Sequence, residues 1–153
     1  MGREGIEKWI RENQLGWRLY VFKGKVKTVK QAASLLGVNP DIIMKTIILV
    51  DGEKTYAVIL RGIDRVDLAK LSKITGGDPR IAPPREVLAR TGYAVGGVPP
   101  APLPGNVTVI IDRKVLNLDT VYAGGGDEYT LLKLNPRDLL RVYPNPIIGD
   151  VSS

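Results

Sequence analysis

The chain has 153 residues, a length at which one domain can bury a core without disulfides or metal ions. Hydrophobic residues make up 44% and charged residues 25%, values that are typical of a globular protein and argue against a disordered or fibrous chain. Cysteine and histidine are both absent, which excludes disulfides, thiolate nucleophiles, Cys/His zinc sites and imidazole catalysis. Any chemistry must use other polar side chains, backbone amides, an exogenous metal or a group of the substrate.

The net charge of +6 is concentrated in the first 30 residues, which hold eight Lys or Arg against three Glu. The rest of the chain is almost neutral, with fourteen basic and thirteen acidic residues. A basic rim around one strand attracts phosphate backbones, although a merely solvated face has the same composition. The basic residues that flank the strand-like sequence WRLYVF are Arg18, Lys23, Lys25, Lys27 and Lys30.

No apolar run approaches the roughly 18 residues that cross a bilayer. The N-terminal sequence MGREGIEKWIREN is amphipathic and charged, unlike a signal peptide. We therefore expect a cytoplasmic protein with no membrane partner.

The N-terminal part predicts a helix, a strand and a second helix. A stripe at Ile6, Trp9 and Ile10 has helical spacing up to about Gly16, and residues 17–22 have strand composition. The second helix has the clearer signals. Thr28 with Gln31 is a capping-box pattern, Gly37 occupies the usual end position, and Asn39-Pro40 predicts a short turn through Ile43.

Two β-branched runs, at 45–50 and 55–60, are joined through Asp-Gly at 51–52, which predicts an antiparallel hairpin. Helical spacing follows over 64–74 and again over 84–90, each ending at glycine. The hairpin is therefore followed by two helices.

The C-terminal part begins with a loop over 92–106, because glycines and prolines there are too frequent for a regular element. The mixture of strands and helices, without a linker or repeat, predicts a single domain over residues 1–153. We expect a mixed α/β fold in which a partly antiparallel sheet is flanked by short helices. The remaining predicted elements are strands at 107–111, 120–123 and 129–134, a glycine turn at 124–126, a short helix at 136–141 and an irregular tail.

Three places could carry chemistry: Lys45 at a strand start, the GGVPP loop at 96–100 and the AGGG turn at 123–126. Each also has a purely structural explanation. A lysine at a strand end often extends to solvent, and Gly-Pro or Gly-Gly segments often only turn the chain.

The sequence around these places favours the chemical over the purely structural explanations. The segments TVKQAASLLGVNPDIIMKTIILV, RGIDRVDLAKLSKITGG, IAPPREVLARTGYAVGGVPP and VTVIIDRKVLNLDTVYAGGGDEYTLLKLNPRDLLRV follow one another from about residue 28 to 142. Together they resemble the YbaK/prolyl-tRNA-synthetase editing-domain family, and their joint spacing is more specific than any single motif.

The resemblance implies a YbaK-like fold with a cleft for the aminoacylated 3′ end of tRNA. It implies a trans-acting deacylase that hydrolyses the ester of mischarged tRNA, with proline, cysteine or alanine-type editing as the theme. An aminoacyl-tRNA synthetase is a further potential partner. The chain has no carboxylate cluster with metal-ligand spacing, so we expect no metal and no cofactor.

The family's key lysine matches Lys45, and its glycine loop matches Gly96 and Gly97, followed by Val98 and Pro99. We expect the lysine at the mouth of the same cleft as this loop. Ester cleavage develops charge on the carbonyl oxygen, which an ammonium or backbone amides stabilise, and glycine lets the backbone approach a ligand closely. Whether the lysine polarises the ester or holds the terminal phosphate stays open.

Further substrate-binding candidates each have a structural alternative. Tyr20 could stack on the terminal adenine or merely pack, Thr28 could act only as a helix cap, and Thr46 only as a strand former. Asp112 matches an acidic family position but could simply orient a loop. The glycine turn contributes Gly124 and Gly125.

Two segments depart from the family pattern. The loop continues as PPAPLPG, with extra prolines before Gly105, and the glycine turn continues into Asp127 and Glu128, where a cation could have met RNA. Two other functions therefore stay open. One is a non-catalytic tRNA- or synthetase-binding module of the same fold, and the other is a hydrolase of another small ester or nucleotide.

Overall fold

The chain folds into eight strands and five α-helices, described over residues 1–153 in a computed structural model. This confirms the predicted mixed α/β architecture with antiparallel pairs and short flanking helices. The strands are β1 (Arg18–Val21), β2 (Met44–Asp51), β3 (Lys54–Arg61), β4 (Arg80–Ile81), β5 (Val107–Asp112), β6 (Val121–Gly124), β7 (Thr130–Leu134) and β8 (Ile147–Gly149). The helices are α1 (Arg3–Glu12), α2 (Val29–Leu36), α3 (Leu68–Thr75), α4 (Pro84–Thr91) and α5 (Leu139–Val142), and 3₁₀ turns span Pro40–Ile42, Arg113–Asn117 and Pro136–Asp138.

The strands divide between two sheets rather than one. A three-stranded antiparallel sheet has the order β1-β7-β6. A five-stranded mixed sheet has the order β4-β2-β3-β5-β8, in which β3, β5 and β8 run parallel. The two sheets meet where Ile43, just before β2, forms an isolated bridge with Tyr122 of β6.

The central strand β3 is buried on both faces, which explains its continuous apolar run. Ala57 and Ile59 face the main core, which α1 and the small sheet also line, whereas Val58 and Leu60 face a second cluster that includes Leu71 of α3. A third cluster lies under α2. No helix of the chain is both long and apolar enough to span a membrane.

The strongest local predictions are confirmed. The Thr28 hydroxyl accepts a hydrogen bond from the Gln31 amide at 3.0 Å, which completes the capping box of α2. Gly37 ends that helix in the left-handed region, with φ of 68°. Gly52 likewise has φ of 61° in the turn that joins β2 to β3.

Two predictions near the chain's middle and end are wrong, and one short element was missed. The helix predicted from residue 64 begins at Leu68, because Asp67 caps it by accepting from the Lys70 amide. The tail is not irregular, since β8 adds to the sheet beside β5. The short edge strand β4 was not predicted, because two residues carry no detectable alternation.

Candidate functional site

A cavity of about 280 Å³ lies where α2, β2 and the glycine-rich loop meet the three-stranded sheet. Its walls are mostly hydrophobic, and their buried side chains belong to the main core and to the cluster under α2. The rim is asymmetric. Ile81 and Val95 are exposed on the apolar part, and Lys27 and Thr28 form the polar part at the start of α2.

Lys45 lies in the lining of this cavity and is half-buried. Its ammonium donates a hydrogen bond to the carbonyl oxygen of Gly62 at 3.2 Å. Burial lowers the pKa of Lys45 from its usual value, and the Asp64 carboxylate partly opposes this shift. The lysine is thus a fixed cation rather than a freely moving surface side chain.

The turn after β3 holds the carbonyl that Lys45 binds. Asp64 accepts hydrogen bonds from Nε and Nη2 of Arg61 at 2.8 and 3.2 Å, and its amide donates to the Arg61 carbonyl at 3.0 Å. These bonds from Arg61 lower the pKa of Asp64, so the carboxylate stays charged. The sequence prediction did not include Gly62 or Asp64, although pairing of Lys45 with Leu60 places the residues after β3 beside the lysine.

Thr46 contributes a hydroxyl that has no partner within the protein. Residues alternate between faces along a strand, so Thr46 shares the face of Met44 and Ile48, which belong to the main core. Its Oγ1 is hidden from solvent and makes no hydrogen bond. Such a group costs about 1–3 kcal/mol, which a bound ligand can recover. Thr28 also lines the cavity, but its hydroxyl is occupied as the cap of α2.

The predicted glycine loop contains two amides without a hydrogen-bond partner in the chain. Gly96 and Val98 line the cavity, and neither amide donates a hydrogen bond within the chain. The Gly97 amide instead donates to the Ala94 carbonyl at 3.0 Å, so Gly97 shapes the loop without offering its amide to the cavity. Pro99 is buried behind the loop, outside the lining.

The glycine turn packs directly against this loop, so the two segments form one wall. A Cβ on Gly124 would lie 2.6 Å from the Val98 carbonyl oxygen, which leaves no room for a side chain. The Gly126 amide donates to the Gly97 carbonyl at 2.9 Å. Gly125 is buried beside Thr130 and does not line the cavity.

Two sequence candidates lie away from the cavity. Asp112 is 1% exposed, and its carboxylate accepts from the amides of Lys114 at 3.0 Å and Val151 at 3.1 Å. It therefore orients a turn and the C-terminal segment, which was its structural alternative. Tyr20 lies on β1, where its ring packs against Tyr122.

The acidic residues after the glycine turn are held by neighbours. Asp127 accepts from the Tyr129 amide and the Thr130 hydroxyl, at 2.8 and 2.7 Å. Glu128 pairs with Lys25 at 3.1 Å. No group of three or more His, Cys, Asp or Glu side chains lies close enough together to hold a metal ion.

The sequence of the cavity region has known relatives. Residues 23–142 match the profile of the aminoacyl-tRNA editing domain. The chain belongs to this family. The proline–tRNA ligase of Streptococcus gordonii is 34% identical over 120 residues, which are 76% of this chain but only 20% of the ligase. An uncharacterized protein of Bacillus subtilis, YwhH, is 29% identical over 138 residues, 90% of this chain and 85% of its own.

Solved structures of similar size share the whole fold with this editing-domain protein. A hypothetical protein of known crystal structure is 40% identical, with a TM-score of 0.91 over 97% of this chain and 99% of its own. A candidate trans-editing enzyme for prolyl tRNA synthetase is 27% identical, with a TM-score of 0.88 over 99% and 96% of the two chains. The family match contains every cavity-lining candidate, whereas α1, β1 and β8 lie outside it.

Proposed function

We propose that the chain is a trans-acting aminoacyl-tRNA deacylase, which hydrolyses the ester of mischarged tRNA. The observation that carries this proposal is that one cavity is lined by Lys45, Thr46, Gly96 and Val98. The Thr46 hydroxyl and the amides of Gly96 and Val98 have no hydrogen-bond partner within the protein. Membership of the aminoacyl-tRNA editing-domain family supports aminoacyl-tRNA as the substrate class. The full-length likeness to a candidate trans-editing enzyme supports action as a free-standing protein.

The proposed substrate carries a small, uncharged amino acid, of the proline, cysteine or alanine type. The cavity of about 280 Å³ is just below the roughly 300–1,000 Å³ of pockets for drug-sized ligands, so it suits an aminoacyl group better than a whole nucleotide. Its walls are mainly aliphatic and contain no carboxylate that would pair with a cationic side chain. The small volume of the cavity also argues against a nucleotide as the substrate.

In the proposed reaction, water attacks the carbonyl carbon of the ester, and the bond from that carbon to the ribose oxygen breaks. The ribose oxygen leaves with a proton, which yields free amino acid and uncharged tRNA. Negative charge develops on the carbonyl oxygen, and we assign its stabilisation to the amides of Gly96 and Val98, which have no hydrogen-bond partner within the chain. Since no histidine exists, a ribose hydroxyl or an ordered water relays the proton from the attacking water to the leaving ribose oxygen.

We assign Lys45 to the same oxyanion, because its Nζ is held at Gly62 beside the cavity rather than free at the surface. Its alternative role is to hold the phosphate of the terminal nucleotide as a point charge. The two roles differ in kinetics, since an oxyanion contact acts on kcat and a phosphate anchor acts on KM.

A panel of labelled mischarged tRNAs tests the function. The proposal predicts release of a small uncharged amino acid from at least one tRNA, and no release of a cationic one. Binding of the same tRNAs without any release would contradict the enzyme and favour the non-catalytic binding module. A synthetase partner is tested by adding prolyl-tRNA synthetase to the same reactions, which would raise the rate at limiting protein concentration.

A further inference from the structure

The three-stranded sheet has an outer face that combines aromatic and basic residues. Its inner face sends Leu19, Ala123 and Leu132 into the main core. Because side chains alternate along a strand, the neighbouring positions point outward. The outer face carries Arg18 and Tyr20 from β1, Leu131 and Lys133 from β7, and Tyr122 and Gly124 from β6.

Part of this face is uncovered. Leu131 is buried under α2, whereas Arg18 is exposed and Tyr20, Tyr122 and Lys133 are partly exposed. The rings of Tyr20 and Tyr122 lie 6.2 Å apart, and the Lys133 ammonium lies 6.0 Å from the centre of the Tyr122 ring. We call these four residues the tyrosine platform.

The charge of the tyrosine platform is uniformly positive. Neither Arg18 nor Lys133 forms a salt bridge within the protein, and no position of the outer face is acidic. Accessible aromatic rings between unpaired cations are the features that hold single-stranded nucleic acid, because bases stack on rings while cations contact phosphates. Tyr20 and Tyr122 are partly accessible in this way. An acidic peptide would use the cations but would leave the rings without a function.

The platform also continues into the wall of the cavity. Leu131 and Gly124 line the cavity and belong to the same sheet face. Tyr20 is the register partner of Leu131, so their strands are only about 4.8 Å apart. The cavity is too small for a nucleotide chain, so nucleotides attached to a bound aminoacyl ester must lie outside it, on an adjoining surface.

We propose that the tyrosine platform binds single-stranded RNA, namely the unpaired nucleotides that precede the esterified 3′-terminal nucleotide. This inference rests on the proposed deacylase function for its choice of RNA. Tyr20 and Tyr122 stack on bases, and Arg18 and Lys133 neutralise the phosphates between them. Tyr20 thus acts beside the cavity, not on an adenine inside it.

The test uses an uncharged RNA hairpin with a four-nucleotide single-stranded 3′ extension, and the same hairpin with a blunt end. Fluorescence anisotropy should show that the wild-type protein binds the extended hairpin at least about tenfold more tightly. Tyr20→Ala should remove most of this preference, whereas Tyr20→Phe, which keeps the ring, should retain it. Lys133→Ala should weaken binding. It should also make the negative slope of log affinity against log salt less steep by about 0.7.

Lys73→Ala is the matched control for Lys133→Ala, because Lys73 is an exposed cation on α3, outside the three-stranded sheet. Equal affinity of the wild type for both hairpins, or an equal loss in Lys73→Ala, would overturn the platform. If circular dichroism shows that Tyr20→Ala does not fold, the affinity of Lys133→Ala for the two hairpins tests the platform instead. Deacylation without any preference for the extension contradicts only the platform, and a preference without deacylation contradicts only the proposed enzyme.

Discussion

The ammonium of Lys45 and the carbonyl oxygen of Gly62 are joined by a hydrogen bond of 3.2 Å across the start of the central hairpin. Gly62 is itself fixed, because its amide donates to the Ile43 carbonyl at 2.6 Å and a Cβ on it would meet Val29 of α2. The cation at the cavity is therefore positioned by the turn after β3, which the Ile43 carbonyl and the Val29 side chain hold in place, and not by its own strand alone.

We expect Lys45→Ala to lower kcat for the best mischarged tRNA about 100-fold, with little change in tRNA affinity, because it removes a stabilising charge from the transition state. Lys45→Arg should recover only part of the rate, since its planar fork does not reproduce the ammonium. Lys54→Ala, at the other end of the same hairpin, is the control. A rise in KM alone would assign Lys45 to the phosphate, and wild-type kinetics would remove it from the site.

Asp64→Asn should move the alkaline limb of the pH–rate profile. The charged form of Lys45 is the active one, so activity is present below its pKa and is lost as pH rises through it. The Asp64 carboxylate raises that pKa, and its removal adds to the lowering by burial. We therefore expect the limb to shift to lower pH in single-turnover deacylation, corrected for spontaneous hydrolysis. Glu53→Gln, on the exposed hairpin turn, should leave the limb in place.

Thr46→Val should separate stability from activity. The hydroxyl of Thr46 has no partner, so its loss should leave the melting temperature unchanged or higher, while deacylation falls about 3- to 10-fold. Thr55→Val gives the reverse pattern, because the buried Thr55 hydroxyl accepts from Arg90 at 2.9 Å. Thermal melts and kcat/KM of both variants would decide, and full activity in Thr46→Val would exclude that hydroxyl from binding.

Gly124→Ala should displace the loop that carries the amides of Gly96 and Val98. The new methyl group would overlap the Val98 carbonyl, at a cost of about 1–3 kcal/mol in stability. We expect deacylation to fall by more than the loss of folded protein explains. Gly105→Ala is the control, because no atom lies within 4 Å of its Cβ position. Equal rates in the two variants would contradict the role of this wall.

Binding of tRNA should weaken steeply with salt, since phosphate contacts release counterions. The double change Lys23→Glu with Lys30→Glu should reduce affinity and flatten the salt dependence, while turnover of bound substrate stays close to wild type, because both side chains are exposed and neither lines the cavity. Lys25 is spared because it pairs with Glu128, and a reversal there would place two carboxylates together. Lys73→Glu on α3 is the control. Affinity that is independent of salt would contradict the phosphate contacts, and unchanged affinity in the double variant would place the RNA on another surface.

The sequence predicted those elements whose signals are local. The Asp-Gly turn at 51–52 fixes the hairpin, and Thr28 with Gln31 fixes the start of α2. Family resemblance drew attention to Lys45 and Gly96, which the structure brings to one cavity. These features depend on few residues, close together in the chain or matched to a known pattern.

Other features depend on contacts that no local pattern encodes. The Gly124–Val98 contact joins two backbones, and glycine has no side chain whose periodicity could indicate a partner. Strand β8 has three residues after a proline-rich segment, and its pairing with β5 requires the finished sheet. The sequence could not predict the hydrogen bond from Lys45 to Gly62 either, because every residue has a carbonyl that could accept it.

Helix α1 packs against the glycine turn, where the fully buried Ile6 occupies the space that a side chain on Gly126 would need. The helix nevertheless lies outside residues 23–142, as do β1 and β8. The elements that support the glycine turn and flank the two sheets therefore extend beyond the segment by which the family is recognised. A fragment of residues 23–142 that is fused to another protein would lack the contact of α1 with the glycine turn. Strands β5 and β7 would each lack one neighbouring strand.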